Sequence, residues 1–174
     1  MNRKYLQFLF ILLISVLFLF LSFPSEALKG KRSSDGRYID NGDGTITDTN
    51  TGLMWTQKDS HADLGECLDW NDSKSYVSRL NTGGHGDWRL PTVEELKGIY
   101  DKSKKHEMGV EYEDWRSIFH LGLDSIFADG AAYSYWTSET SGSCCAHRVF
   151  FSSGNVGRDI RNFCSNRGVR AVRR

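Results

Sequence analysis

Residues 38–55, YIDNGDGTITDTNTGLMW, constrain the fold of this chain more than any other stretch. Two clusters rich in Asp, Asn and Gly separate three short runs of strand-forming residues, at 38–39, 45–47 and 53–55. Asn-Gly and Asp-Gly pairs supply the positive φ angles that tight hairpin turns require, while Thr and Ile favour extended backbone. The stretch therefore predicts that the folded domain opens with an antiparallel hairpin.

The same stretch has the composition of a calcium-binding loop, and the register decides between the two interpretations. If Gly44 takes position 6 of an EF-type loop, Asn41 and Asp43 fill positions 3 and 5. Ile39 then falls at position 1 and Asn50 at position 12, where the loop needs an oxygen ligand and an acid. No helix pattern flanks the loop. The hairpin interpretation is favoured, and we predict neither a metal site nor a cofactor.

The N-terminus has the features of a secretory signal. Arg3 and Lys4 precede an apolar run, and Ser25 and Ala27 provide the small residues of a cleavage site after Ala27. The apolar run is about 16 residues long, whereas a membrane-spanning helix needs about 20. An uncleaved N-terminal anchor is the alternative, and contact with a membrane is expected only in that case. The predicted organisation is a signal peptide at 1–27, a linker at 28–36 and one domain at 37–174, exported to the periplasm, the cell surface or the medium.

Charge is balanced over the whole chain, with a formal net charge of zero, but it is unevenly distributed. Residues 35–72 carry nine acids and two bases, whereas residues 148–174 carry seven arginines and one acid. Guanidinium groups bind sulfate and carboxylate through paired hydrogen bonds. We therefore predict binding of an acidic polysaccharide by Arg148, Arg158, Arg161, Arg170 and Arg173. The alternative is that these arginines pair with the N-terminal acids across the sheet. Nucleic acid is not expected as a partner of an exported chain.

Four cysteines, Cys67, Cys144, Cys145 and Cys164, lie in the exported part. An oxidising compartment favours disulfides. A bridge between the adjacent Cys144 and Cys145 would strain the backbone, so we predict that one of this pair bonds Cys67 and the other bonds Cys164. No cysteine spacing fits a zinc site.

Motifs of catalysis are scarce. The sequence contains neither GxSxG nor a phosphate-binding P-loop, and its five histidines show no metal-type pairing four residues apart. Glu94 and Glu95 are adjacent, and neighbouring residues of a helix point about 100° apart, so they do not form a carboxylate pair. We predict that the protein is not an enzyme.

Two stretches have the pattern of amphipathic helices. Over 69–80 apolar residues recur on one face, and Asp69 can cap the start. In LPTVEELKGIY, Thr92 is an N-cap and Glu95, three residues later, completes a capping box.

The other segments are predicted from weaker patterns. Residues 101–132 are charged and then amphipathic around Trp115, Ile118 and Phe119, which we interpret as loop plus short helices. Strands are predicted at 135–137, 148–151, 156–160 and 169–172, with a hairpin turn at 153–155. The order of these elements predicts an α+β domain, with two helices packed on an antiparallel sheet.

Four motifs together resemble one known family. In chain order they are NGDGTITDTNTGLMW at 41–55, GDWRLPTVEEL at 86–96, YWTSE at 135–139 and VRAVR at 169–173. Their sequences and their order resemble those of the Lcl C-terminal domain family, named for a bacterial collagen-like adhesin. The resemblance covers 37–174 and implies a C-type-lectin-like fold, distantly akin to formylglycine-generating enzymes. It also implies a structural role for the signature residues Trp55, Trp88, Arg89, Leu90, Pro91 and Trp136, with Arg89 as a buried hydrogen-bonding fork.

The resemblance also carries a functional expectation. The adhesin implies binding of sulfated glycosaminoglycans and formation of a homo-oligomer. We therefore expect an exported binding or adhesion module for acidic or sulfated glycans. Two alternatives are an enzyme of the formylglycine-generating oxidase type, which would use the cysteines, and a structural envelope or fimbrial component without a ligand.

Overall fold

The opening stretch forms a three-stranded antiparallel meander, as its turn residues predict. The computed structural model describes residues 30–111, 116–129 and 131–174, and the meander is made of Tyr38–Asp40 (β2), Thr45–Asp48 (β3) and Met54–Thr56 (β4). Lys31–Arg32 (β1) and Val172–Arg173 (β11) extend it to a five-stranded sheet in the order β1-β2-β3-β4-β11. Part of the range 28–36, predicted as a linker, is therefore strand β1, because it pairs with β2.

A second sheet is built from the C-terminal third of the chain. Ser134–Ser141 (β7), Cys145–Phe150 (β8) and Val156–Ile160 (β9) pair antiparallel, while Arg167–Gly168 (β10) pairs parallel with β7. The predicted continuous strand at 169–172 is wrong. The chain leaves the second sheet after β10 and joins the first sheet as β11, so the segment between them crosses from one sheet to the other.

The middle of the chain contains a β-hairpin instead of the predicted loop and short helices. His106–Glu111 (β5) pairs antiparallel with Arg116–Leu121 (β6). The apolar spacing in this region is compatible with either structure, and cross-strand pairing decides in favour of the hairpin. Trp115, like the predicted signal peptide 1–27, lies outside the described residues.

Three α-helices lie in the described part of the chain, one more than predicted. They are Ser60–Leu64 (α1), Trp70–Val77 (α2) and Val93–Ile99 (α3). The five residues of α1 are too few to show a periodic pattern. Asp69 caps α2, and the capping box of Thr92 with Glu95 is present at α3, so both predicted helix starts are confirmed. No helix among the described residues has the length and apolar character to cross a membrane.

Two apolar clusters make up the core. The first lies between the two sheets and α3 and includes Trp55, Leu96, Tyr135, Val149 and Phe151. The second lies beside α2 and includes Trp70, Trp88, Trp136 and Val169. Burying such aromatic and branched side chains supplies the main stabilisation of a domain of this size.

The disulfides differ from those predicted. Cys67 bonds Cys164, with their Cα atoms 5.8 Å apart, and Cys144 bonds its neighbour Cys145. Just after Cys67, the Leu68 and Trp70 backbone N–H groups donate to the carbonyl oxygens of Arg167 and Arg161, which lie on either side of Cys164, and this brings the two cysteines together. Cys144 is the last residue of the turn between β7 and β8, and Cys145 is the first residue of β8. With Cys67 and Cys164 bonded to each other, these two remain as partners.

A buried carboxylate joins α1, β7 and the segment that crosses between the sheets. Asp59 Oδ1 accepts from the Ala62 backbone N–H at 2.8 Å and so caps α1. Asp59 Oδ2 accepts from the Ala132 backbone N–H at 2.8 Å, from the Tyr135 hydroxyl at 2.5 Å and from Arg170 Nη2 at 3.4 Å. Burial raises the pKa of Tyr135 well above its ordinary value, so its hydroxyl keeps the proton that it donates.

Replacement of Asp59 by alanine should destabilise the domain strongly. The substitution leaves the Arg170 charge buried without its carboxylate partner, and we expect a loss of about 3–5 kcal/mol in the free energy of unfolding, measured by urea denaturation. Asp69→Ala is the matched control, since Asp69 caps α2 through an exposed hydrogen bond from the Asp72 backbone N–H. A loss of about 1 kcal/mol in the free energy of unfolding is expected for this variant. Equal losses in the two variants would mean that Asp59 acts only as a helix cap.

His106 on β5 is a second buried polar side chain. Its side chain is 2% exposed, and its Nε2 lies 3.6 Å from Asp129 Oδ1 without making a hydrogen bond within the described residues. Burial lowers the pKa of His106 below its ordinary value of 6.5, and the charge of Arg170 lowers it further. The charges of Asp129 and Asp59 act in the opposite sense.

Stability should therefore decrease as the pH falls below about 6.5. The pKa of His106 is lower in the folded protein than in the unfolded chain, so the unfolded chain takes up a proton at higher pH. The free energy of unfolding therefore has its full value above about pH 6.5. It decreases at lower pH until the folded side chain is also protonated. Denaturant titrations between pH 7 and about pH 5 should show this slope, since carboxyl groups titrate mainly below that window. His106→Gln should remove the slope and His120→Gln, at an exposed position, should keep it. A slope that persists in His106→Gln would contradict the assignment.

Candidate functional site

The five arginines predicted to bind a ligand lie in different environments. Arg170 is 0% exposed and is bound to Asp59 and to two backbone carbonyl oxygens at the end of β4, so it is inaccessible to a ligand. Arg173 Nε donates to Asp87 Oδ1 at 2.6 Å at the surface. The contact of Arg170 with Asp59 is a pairing of the kind that the alternative predicts, between a C-terminal arginine and an N-terminal acid, whereas Asp87 lies outside the acidic segment 35–72.

Arg161 has a local structural role. Its Nε donates to the carbonyl oxygen of Cys145 at 3.2 Å and its Nη2 to that of Gly142 at 2.9 Å, while its guanidinium lies over the Trp70 ring. These contacts hold the turn between β7 and β8 against the start of α2.

Arg148 and Arg158 are kept apart by the alternation of side chains along a strand. Arg148 of β8 pairs with Gly157 of β9, whereas Arg158 pairs with His147. Paired residues share a face of the sheet and consecutive residues point to opposite faces, so Arg148 and Arg158 lie on opposite faces. The structure therefore does not gather the five predicted arginines into one surface.

Arg148 does have a second arginine beside it, although not one of the predicted five. Arg148 Nη2 and Arg167 Nη2 both contact Asp159 Oδ2, at 3.2 and 2.7 Å. The guanidinium of Arg148 also lies 4.1 Å from the centre of the Phe150 ring, and that of Arg167 lies 4.5 Å from the centre of the Phe163 ring. The two guanidiniums are thus fixed by one carboxylate and by aromatic faces.

These two arginines border a pocket of about 220 Å³, which we call the arginine pocket. Its other lining residues are Phe119, Tyr133, Ser165 and Asn166. The rings of Phe119 and Tyr133 meet edge to face with their centres 5.6 Å apart. The lining of the pocket therefore combines two aromatic rings with guanidinium, hydroxyl and amide groups.

The arginine pocket carries an excess of positive charge. Among the described residues, the Asp159 carboxylate forms ion pairs with both Arg148 and Arg167. Burial lowers the pKa of both arginines, and the charge of Arg148 lowers that of Arg167 further, but guanidinium groups stay protonated in proteins. Their buried Nε atoms make no hydrogen bond within the described residues. The side chains of Arg148 and Arg167 are 15% and 5% exposed, so Arg148 is the more accessible of the two. Two largely buried forks with one counter-charge favour an anion as ligand.

Asn166 is held in a conformation that most residues avoid. Its φ is 43°, in the left-handed region, and its carbonyl oxygen accepts from the Tyr133 backbone N–H at 3.1 Å. Asn tolerates positive φ better than other non-glycine residues, yet the conformation is still unfavourable. The strained residue lies in the segment that leads into β10, directly beside Arg167.

A second, smaller cleft of about 160 Å³ lies beside the opening turn. Its lining includes Gly44, Lys58, Asp63, Tyr76 and Thr82. The Tyr76 hydroxyl donates to Asp63 Oδ2 at 3.0 Å. With a cation, an anion and hydroxyl groups together, this cleft favours no one class of ligand, and the arginine pocket is the better defined site.

The acids of the opening stretch are used by the turns themselves. Asp43 Oδ1 accepts from the Thr45 backbone N–H at 3.0 Å and from its hydroxyl at 2.6 Å, and Asp40 Oδ1 accepts from the Gly42 backbone N–H at 2.9 Å. Within residues 30–111, 116–129 and 131–174, no group of three or more His, Cys, Asp or Glu side chains is arranged to hold a metal ion.

The signature residues have structural positions. Trp55, Trp88, Leu90, Pro91 and Trp136 are buried. Arg89 forms a two-point contact with Glu95, at 2.8 and 2.6 Å, but its side chain is 42% exposed. Arg89 is thus the expected hydrogen-bonding fork, but its predicted burial is wrong: its partner Glu95 is part of the capping box at the start of α3, where the Arg89 side chain stays open to solvent.

Sequence reasoning placed Arg148 in the candidate site and missed its partners. Arg167 was one of seven arginines in the C-terminal segment, and no sequence pattern distinguished it from the others. The two aromatic residues of the pocket, Phe119 of β6 and Tyr133 just before β7, lie far from Arg148 and Arg167 in the sequence. A usable signal was the run from Phe163 to Arg167, where an aromatic residue and an arginine flank polar loop residues.

The geometry describes an α+β domain with a pocket suited to an anion. The sequence model of the Lcl C-terminal domain matches residues 44–173, most of the chain, and the protein therefore belongs to the Lcl C-terminal domain family. The family predicted from the four sequence motifs is confirmed. A search of the curated proteins found no match.

Substitution of Asn166 should separate backbone strain from side-chain effects. Asn166→Val forces a β-branched residue to positive φ, and we expect a loss of about 1–2 kcal/mol in the free energy of unfolding. Asn166→Gly relieves the steric conflict and should change stability by less than about 0.5 kcal/mol. Thermal and urea unfolding would measure both. Similar losses in the two variants would show that the Asn166 side chain, and not its φ, matters for stability.

Proposed function

We propose that this protein is an exported, non-enzymatic binding module that recognises acidic or sulfated glycans. The observation that carries the proposal is the pairing of Arg148 and Arg167 over the shared Asp159 carboxylate. A sulfate or carboxylate group that enters the arginine pocket would complete the balance of charge and accept hydrogen bonds from planar guanidinium forks.

The two aromatic rings of the arginine pocket support a sugar as the carrier of that anionic group. The C–H faces of a sugar ring pack against aromatic side chains, and Phe119 and Tyr133 stand next to the guanidiniums. At about 220 Å³ the pocket is smaller than the roughly 300–1,000 Å³ of sites for drug-sized ligands, so it suits one acidic sugar residue within a longer chain.

Export of the protein and a C-type-lectin-like fold are part of the same proposal. A secretory signal at 1–27 would deliver the domain to an oxidising compartment, which is consistent with the Cys67–Cys164 disulfide. A C-type-lectin-like arrangement is supported by the pairing of β11 with β4, which brings the end of the domain back to its opening sheet. Formation of a homo-oligomer and the absence of nucleic-acid partners stay predictions.

The alternatives have less support. An oxidase of the formylglycine-generating type needs a reactive cysteine, and all four cysteines, which lie in the described residues, are in disulfides. Alkylation of the native protein without reductant would reveal a thiol that this alternative requires. A structural envelope component without a ligand gives no reason for a pocket with unbalanced charge.

Heparin affinity chromatography of the exported domain tests the glycan proposal. Arg148→Gln removes one charged fork, and we expect elution at lower salt and a loss of about tenfold to a hundredfold in affinity for a heparin oligosaccharide, measured by calorimetry. Arg167→Lys keeps the charge but not the fork, so a loss in this variant would show that fork geometry contributes.

Arg158→Gln is the matched control, because it removes the same charge from an exposed position on the other face of the sheet. It should elute close to the parent protein. Equal losses in Arg148→Gln and Arg158→Gln would point to a general effect of net charge, and an unchanged Arg148→Gln would exclude the arginine pocket as the site. Thermal unfolding of each variant confirms that it is folded.

A further inference from the structure

The disulfide between Cys144 and Cys145 lies at the surface, where the turn after β7 meets the first residue of β8. Cys144 is exposed and Cys145 is partly exposed. Thiol–disulfide exchange requires a thiolate to reach a sulfur atom, so exposed bridges are the ones that exchange readily. An attacking thiolate in solution can therefore reach the bridge at Cys144.

This bridge does little to stabilise the fold. It joins residues one apart in sequence, whereas Cys67–Cys164 joins residues 97 apart. A disulfide stabilises mainly by restricting the unfolded chain, and the restriction grows with the length of the loop that it closes. The Cys144–Cys145 bond closes no loop of chain, so thermodynamic stability does not account for it.

The turn is held by contacts other than the bridge. Arg161 donates from its backbone N–H to the Cys144 carbonyl oxygen at 3.0 Å, and its guanidinium bonds the carbonyl oxygens of Cys145 and Gly142. Stacking on Trp70 fixes the guanidinium itself. The backbone of the turn can therefore keep its shape when the sulfur–sulfur bond is open.

We propose that Cys144–Cys145 is a thiol–disulfide exchange site, which is reduced by a dithiol while Cys67–Cys164 stays intact. A thiolate of the dithiol attacks Sγ of Cys144, the exposed residue of the pair, forming a mixed disulfide and releasing Cys145 Sγ as a thiolate that takes up a proton. The second thiol then attacks the mixed disulfide and releases Cys144 as a thiol. Two electrons and two protons pass to the protein, and the dithiol becomes a disulfide.

Arg161 assists the first step by its position. Its guanidinium lies against the backbone of Cys145, and a nearby positive charge stabilises a thiolate. A more stable thiolate is a better leaving group in the exchange. Arg161 is thus a positioning and electrostatic residue for this reaction.

Peptide mapping after limited reduction tests the proposal. Trypsin places Cys144 and Cys145 together in the peptide 117–148, and places Cys67 and Cys164 in the peptides 59–74 and 162–167. The native domain is treated with increasing dithiothreitol, alkylated and digested. We expect 117–148 to gain two alkyl groups about tenfold or more faster than the cross-link between the other two peptides is lost. Alkylation of 117–148 without reductant, or loss of both bridges at the same rate, would overturn the proposal.

Variants provide a second measurement. The double variant Cys144→Ser, Cys145→Ser should unfold within about 2 °C of the parent, whereas the pair Cys67→Ala, Cys164→Ala should unfold about 10 °C lower or fail to fold. A loss of thermal stability in the serine variant as large as in the alanine variant would make the Cys144–Cys145 bridge structural. Arg161→Gln should slow alkylation of 117–148 by about threefold or more, and an unchanged rate would remove Arg161 from the mechanism.

Discussion

The buried contact between Asp59 and Arg170 determines how the parts of this domain fit together. One carboxylate caps α1, accepts from the Tyr135 hydroxyl of β7 and pairs with the arginine on the segment that crosses between the sheets. Both side chains are fully buried, so neither can exchange its partner for water. The relative position of the two sheets, and with it the core between them, depends on this contact being complete.

Arginine serves several distinct purposes here, and the difference lies in the environment of each side chain. Arg170 is a buried cross-link, Arg161 holds a turn, and Arg173 closes a surface pair with Asp87. Only at Arg148 and Arg167, among the described arginines, do two guanidiniums share one carboxylate beside an accessible pocket. Three of the seven arginines at the end of the sequence thus hold the fold, and two border the arginine pocket.

Local rules predicted the parts of the fold that depend on neighbouring residues. The meander over 38–55 follows from its turns and the start of α3 from the box between Thr92 and Glu95, and both are as predicted. The hairpin of β5 and β6 is local, but its apolar spacing fits a strand as well as a helix. The passage of the chain from β10 to β11 and the Cys67–Cys164 disulfide depend on contacts between distant segments, which periodicity and spacing do not encode. For the same reason Arg148 could be proposed as a binding residue and its partner Arg167 could not.

The path of the last residues has a consequence for how the domain reaches its folded state. β10 joins the second sheet, Arg170 completes the buried contact, and β11 joins the edge of the first sheet next to β4. Neither sheet is complete until this segment has arrived, and closing such long-range contacts is slow. Strands β1 to β9 can therefore be present in a growing chain while both sheets are still incomplete, and the domain closes only when β10 and β11 are free to pair.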